Sequence, residues 1–289
     1  MILEFIRAMR PKRWAKNGVM VAGIAFGLNL TDPDALLRVA GAIFIFCMLS
    51  GSSYVINDLF DIRRDRTHPV KSRRAIASGR MPAVPAAVAA CIIALASLAG
   101  GYFIGQRFFL AAVAFFAIQT AYSAGLSRIV VMDLFAMAAT FLLRVVAGAW
   151  AVPVPVSQWL LVCTMLLALL MAIGTRRHEL VVAGEDVKGH NPVLREYNPY
   201  LMDQMIAVVT SATLVAYALY TQSAETVEKF GTRQLILSTP FVLYGIFRYL
   251  YLIHRREGEL SPEKLLLTDR PFQLTLLAYA ITCAAILYT

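Results

Sequence analysis

The stretch "NDLFDIRRD", residues 57–65, places Asn57, Asp58, Asp61 and Asp65 within a few positions of one another. If the chain is helical there, Tyr54, Asn57, Asp61 and Asp65 recur at spacings of three and four and form one stripe. A purely oxygen donor set suits a hard divalent cation. Mg²⁺ in particular keeps several waters and shares a few carboxylates with substrate phosphates. Asn57 and Asp61 are the expected metal ligands, with Asp58 and Asp65 in supporting or second-metal roles. Cations follow at once: Arg63, Arg64, Arg66, Lys71, Arg73, Arg74 and Arg80. Lys71, Arg73 and Arg74 are placed to hold further phosphate oxygens, so the segment as a whole suits a magnesium-bound diphosphate. A row of solvated salt bridges is the competing reading, and it does not account for an amide and acids on one face. Pro69 marks the expected end of the helix.

The elements that must carry this segment are apolar. The chain has 289 residues, 59% of them apolar and only 16% charged, too hydrophobic for a soluble domain of its length. A helix needs about 20 apolar residues to cross a bilayer. Segments that qualify lie near 14–31, 36–57, 82–104, 107–124, 130–152, 158–180, 200–221, 233–254 and 269–288. The expected fold is thus all-α: a polytopic membrane protein, a bundle of nine transmembrane helices, in one domain spanning 1–289. Cys47, Cys91, Cys163 and Cys283 stand singly in apolar runs and read as small buried hydrophobes rather than metal ligands or disulfides. The basic, amphipathic start, "MILEFIRAMRPKRWAK", lacks a small-residue cleavage site and is expected to remain in the protein.

Lysine and arginine are retained on the cytoplasmic side of membrane proteins. All but a handful of the 27 basic residues fall in the N-terminal tail, in the loop after the second span, and in later loops on the same side. Arg38, Arg107, Lys229 and Arg233 lie opposite, and Arg144 and Arg248 fall within spans. The expected N-terminus is cytoplasmic and the C-terminus outside. This charge, +9 overall, sits beside the membrane and points to phosphate-bearing substrates and headgroups, not to nucleic acid. Homo-oligomerisation stays open.

Other candidates are distributed along the chain. Asp133 precedes Arg144 by about three turns on nearly the same face. An arginine inside a bilayer helix is costly and faces a partner; a phosphate suits its planar fork, with a structural ion pair to Asp133 as the alternative. Tyr54 and Tyr122 stand at helix ends, where an interfacial belt explains them as well as a ligand does. His178 is a candidate base, with the alternative that it belongs, with Arg176 and Arg177, to a hydrated, phosphate-facing segment. Lys12 and Lys16 suit lipid headgroups or a substrate phosphate.

"NDLFDIRRD" resembles the NDxxDxxxD motif of the UbiA-type membrane prenyltransferases. More narrowly, "RPKRWAKN", "HPVKSRRAIASG", "YSAGLSR", "LLRVVAGAWA", "RRHEL" and "LLTDRP" resemble the branch of that family that acts as polyprenyl-phosphate phosphoribosyltransferases. The resemblance implies a nine-helix bundle with a cytoplasm-facing, Mg²⁺-dependent site above an apolar channel. Its substrates would be phosphoribosyl pyrophosphate and a polyprenyl phosphate. It also implies substrate contacts at Lys12, Lys16, Tyr54, Lys71, Arg74, Tyr122, Asp133, Arg176, Arg177 and His178, and a catalytic part for Arg144. The branch carries a lysine where Ser127 stands, and Arg128 is the expected substitute. Family members that ionise an allylic diphosphate carry a second DxxxD motif after the fourth helix; here Asp133 is followed by Ala136 and Met137. That favours attack on ribose over the alternative, prenylation of an aromatic acceptor. A transporter or a lipid-phosphate binder explains the helices and basic loops but not the acidic stripe.

Overall fold

A computed structural model describes residues 2–26, 31–68, 70–152, 154, 156–188, 192–255 and 268–288. Pro69, Arg256, Lys264, Leu266 and Leu267 lie outside them, as does the end of the segment expected at 14–31. The described elements are helical and fall into two compact units that divide between Val156 and Ser157.

In the first unit, α1 (Ile2–Ala8) leads into a 3₁₀ segment (Pro11–Met20) and α2 (Val21–Phe26). The helices α3 (Pro33–Phe60), α4 (Ile62–Thr67), α5 (Ala83–Ile104), α6 (Gln106–Ala124) and α7 (Met132–Ala151) follow. The second unit holds α8 (Gln158–Lys188), α9 (Pro199–Gln222), α10 (Ala224–Phe230), α11 (Thr239–Arg255) and α12 (Arg270–Tyr288). Local chemistry sets several starts. Asp32 caps α3 by accepting from Asp34 N at 2.9 Å, with Pro33 in the first turn. Asn198 does the same for α9 through Leu201 N at 2.8 Å, ahead of Pro199.

Among the described residues, eight helices are long and apolar enough to cross a membrane, and the chain is a multi-span membrane protein. The packing of α5 shows why. Its buried face is Ala86, Ala90, Ala94, Ser97 and Gly101, while Val88, Ile92, Leu95 and Phe103 are exposed. Small residues inside and large apolar ones outside make sense only where lipid covers the outer face, since close backbone approach then drives association. Across α3 and α6, Phe46 meets Phe108 edge-on at 5.7 Å and Phe115 at 5.0 Å, filling the core of this unit.

The first apolar segment departs from expectation. Among the described residues it is a 3₁₀ run that passes into α-helix at Val21, not a continuous α-helix from residue 14. The cause is tertiary. A methyl group on Gly148 would lie 2.2 Å from the Met20 carbonyl oxygen, and one on Gly23 would lie 2.6 Å from Ala149 N, so this strand of the fold runs backbone to backbone against α7. A 3₁₀ run rises about 2.0 Å per residue against about 1.5 Å for an α-helix. Pro11–Phe26 therefore reaches about 29 Å, nearly the thickness of a hydrocarbon core, in fewer residues than a regular span.

Candidate active site

The acidic segment lies at the C-terminal end of α3 and runs into α4. The α3 helix does not continue unbroken through it. Asp61 has φ −94° and ψ 5°, closing α3, and α4 starts at Ile62. The single stripe expected from Tyr54 to Asp65 is therefore split, and this corrects the sequence reading. Asp58 and Asp65 turn inward, with side chains 3% and 1% exposed. Asn57 and Asp61 are half-buried.

Two arginines hold the inward pair. Arg74 Nη1 donates to Asp58 Oδ1 at 3.0 Å and to Asp65 Oδ2 at 2.6 Å. Arg10 Nη2 donates to the same Asp58 oxygen. The Arg10 guanidinium also lies over the Tyr54 ring at 5.1 Å, and that of Arg13 at 5.6 Å. Burial pulls Arg10 below its ordinary pKa while Asp58 pushes it back up. Its backbone sits in the left-handed region, φ 54°, ψ 61°. That conformation is strained for a residue with a side chain, and it aims the guanidinium across the turn between α1 and the 3₁₀ run. Arg10 was missed by reasoning from local spacing because its partner lies far away in the chain. Tyr54 is explained by these two cations at least as well as by an interfacial belt.

The half-buried pair is arranged differently. Asn57 Nδ2 donates to Ser123 Oγ at 3.1 Å, which leaves Oδ1 as its acceptor end, and Ser123 is anchored in turn on Gln119 O at 3.1 Å. Arg64 approaches Asp61 only to 3.9 Å. Among the described residues no three His, Cys, Asp or Glu side chains gather as a metal cage. One inward oxygen, Asp65 Oδ1, is buried without a hydrogen-bond partner among the described residues. An all-oxygen set of few ligands with an unsatisfied carboxylate atom fits Mg²⁺, which completes its shell from water and phosphate.

The basic turn lies directly beside the acids. Lys71–Arg73 form a short 3₁₀ turn, and Arg74 leaves it toward Asp58 and Asp65. Lys71 is partly exposed and Arg73 exposed. Arg80 fastens the turn from behind, donating to Arg73 O at 2.6 Å and approaching Glu4 of α1 to 3.6 Å.

The remaining candidates lie on other elements. Lys12 and Arg128 are exposed, and Lys16 and Tyr122 half-buried. Asp133 is fully buried in the first turn of α7, behind Val131, whose φ of 69° is strained for a β-branched residue. Arg144 is 4% exposed. It donates through Nε to Asn17 Oδ1 at 2.8 Å and through Nη1 to Thr140 O at 2.7 Å, with its guanidinium 4.6 Å from the Phe115 centroid. About 16 Å of helical rise separates it from Asp133, too far for the direct ion pair weighed above. Asn17 passes the link on to Cys47 Sγ at 3.3 Å.

In the second unit, Arg176 pairs with Glu179 at 2.5 Å. Arg177 grips Asp203 at 2.5 and 3.5 Å and Ile253 O at 3.3 Å. His254 also reaches Asp203, at 3.3 Å. His178 is half-buried. The other arginine expected within a span, Arg248, is bidentate to Asp269 at 3.0 and 2.8 Å. The "TDR" of "LLTDRP" thus supplies the counter-charge for α11.

The model of the UbiA prenyltransferase family matches residues 18–277. The decaprenyl-phosphate phosphoribosyltransferase of Mycolicibacterium smegmatis is 30% identical over 100% of this chain and 93% of that protein. The enzyme of the same name from Corynebacterium glutamicum is 29% identical, over 98% of this chain and 86% of that protein. Among solved structures, a UbiA homologue from Archaeoglobus fulgidus bound to GPP and Mg²⁺ superposes with a TM-score of 0.77, covering 99% of this chain and 100% of that one at 20% identity.

Proposed function

We propose, on the premise that this chain belongs to the UbiA prenyltransferase family, that it is a polyprenyl-phosphate phosphoribosyltransferase. It transfers the 5-phosphoribosyl group of phosphoribosyl pyrophosphate to a polyprenyl phosphate such as decaprenyl phosphate and releases pyrophosphate. Full-length likeness to decaprenyl-phosphate phosphoribosyltransferases supports the reaction. The observation in the molecule that carries the reading is the single acidic helix end fastened by Arg74 to a basic turn, an arrangement suited to one metal-bound diphosphate with extra phosphates nearby.

Asn57 and Asp61 would hold the metal. Mg²⁺ bound there would neutralise charge on the leaving pyrophosphate. Lys71 and Arg73 would take its outer oxygens, and Lys12, Lys16 and Arg128 the phosphates of sugar or lipid. Asp58 is left out of the ligand set because Arg10 and Arg74 already hold it; its part is to fix those two cations. Positive charge growing on the ribose ring as its C1–O bond breaks would face the carboxylates. The attacking lipid phosphate is ionised at neutral pH, so no strong base is needed, and His178 is not assigned that role. Arg144, held by Asn17 and Thr140 far along α7, braces the first segment in this scheme.

The site would face the cytoplasm in the inner membrane. Single cysteines at Ser78 and Ser127 in a cysteine-free background are then expected to react with impermeant maleimide only from the cytoplasmic side, and one at exposed Glu228 only from outside. Reaction of Ser78 and Ser127 from opposite sides would break the topology. The prenyl-transfer alternative is tested by offering polyprenyl diphosphate with 4-hydroxybenzoate. No prenylated aromatic is expected, and its formation would favour that alternative.

A further inference from the structure

We propose that His68 is a positioning residue for the pyrophosphate-bearing substrate, an inference that rests on the reaction assigned above. It ends α4, its backbone N–H bonding Asp65 O at 3.2 Å and its carbonyl accepting from Ser72 N at 3.1 Å. Its ring does something further. Nδ1 accepts from both Val70 N, at 3.1 Å, and Lys71 N, at 3.3 Å. Two converging N–H donors require a lone pair on Nδ1, which places the ring proton on Nε2. The imidazole therefore acts as the cap of the basic turn, satisfying donors at its start that no other side chain caps.

Three consequences follow from that geometry. The turn's leading N–H groups are spent on the ring, so anion contacts from this turn must come from its side chains. The cap also fixes the phase of the turn. Arg73 N then bonds Val70 O at 3.3 Å and Arg74 N bonds Lys71 O at 3.0 Å, and this is what delivers Arg74 to Asp58 and Asp65. Finally, His68 joins the acidic and basic halves of the site covalently and by hydrogen bonds. It sets their spacing without itself needing to touch substrate.

The test uses side-chain shape. Asparagine carries an acceptor at the position of Nδ1 and forms the same kind of local turn. Glutamine places its amide nearer Nε2, and alanine has neither. In the full chain in detergent, His68→Ala should be cut by trypsin after Lys71, Arg73 and Arg74 several-fold faster than the parent. It should also raise KM for phosphoribosyl pyrophosphate about tenfold, the loss expected from two weakened hydrogen bonds, with KM for polyprenyl phosphate little changed. His68→Asn should restore both readouts and His68→Gln neither. Parent-like cleavage in the alanine variant, rescue by glutamine in place of asparagine, or equal loss for both substrates would overturn the assignment. If the parent fails to use phosphoribosyl pyrophosphate while cleavage follows the expected order, the functional reading falls and the role in ordering the turn stands.

Discussion

Replacing Arg74 with alanine is expected to be the most damaging single change at the site. Its Nη1 serves two carboxylates whose side chains are 3% and 1% exposed. Asp58 would keep Arg10, but Asp65, whose other oxygen is already unsatisfied, would be left as an uncompensated buried charge. Breaking a buried ion pair from one side costs about 3 to 5 kcal/mol. The loss should appear as a clear fall in the thermal unfolding midpoint in detergent, together with loss of turnover. Arg74→Lys should recover part of the stability, because a point charge cannot reproduce a two-acceptor guanidinium contact. The double change Arg74→Met with Asp65→Leu separates the two effects: matched apolar groups should restore most of the stability, while turnover stays absent. A parent-like unfolding midpoint for Arg74→Ala would show that the carboxylates are not held as described.

Asn57 and Asp61 should behave in the opposite way. Both are half-buried; Asp61 has only a 3.9 Å approach from Arg64, and Asn57 a single hydrogen bond, to Ser123. Asn57→Ala and Asp61→Ala are therefore expected to leave the unfolding midpoint within a degree or two of the parent, as for surface changes. Turnover should fall by about a hundredfold or more, the scale on which charge stabilisation of a leaving group acts. Chelation should silence the parent reversibly, with Mg²⁺ restoring activity. Asp34→Asn, at the other end of α3 in its first turn, should be silent. Full activity of Asp61→Ala would reduce the acidic segment to a charged surface.

These two predictions mark what could be read from sequence. The long apolar runs are set by local composition, and α3, α5, α6, α7, α9 and α12 begin and end within a few residues of the expected positions. The motif itself was legible because its residue types suit a metal diphosphate whatever the backbone does. The splitting of the stripe was not, because it depends on Arg74 and Arg10 reaching the inward carboxylates from other parts of the chain. The 3₁₀ run was equally hidden. Its cause is the approach of Met20 to Gly148, and a glycine in "VVAGAWA" signals close packing without naming its partner. A partner inside the membrane was expected for Arg144, as a phosphate or an acid, and none was named for Arg248. Asn17 and Asp269, which answer them, are separated from them by loops and helices that periodicity cannot cross. His68 stood in a quoted motif, yet only the placement of its ring beside two backbone N–H groups gives it a role.

The central claim is that carbon 1 of ribose, not of a prenyl chain, is the electrophile. Purified protein with Mg²⁺, polyprenyl monophosphate and phosphoribosyl pyrophosphate labelled in its ribose tests this most directly. The account predicts that label passes into the lipid fraction and that pyrophosphate is released in equal amount. Pyrophosphate release without labelled lipid, or transfer of the prenyl group to an aromatic acceptor in place of the ribose label, would contradict it.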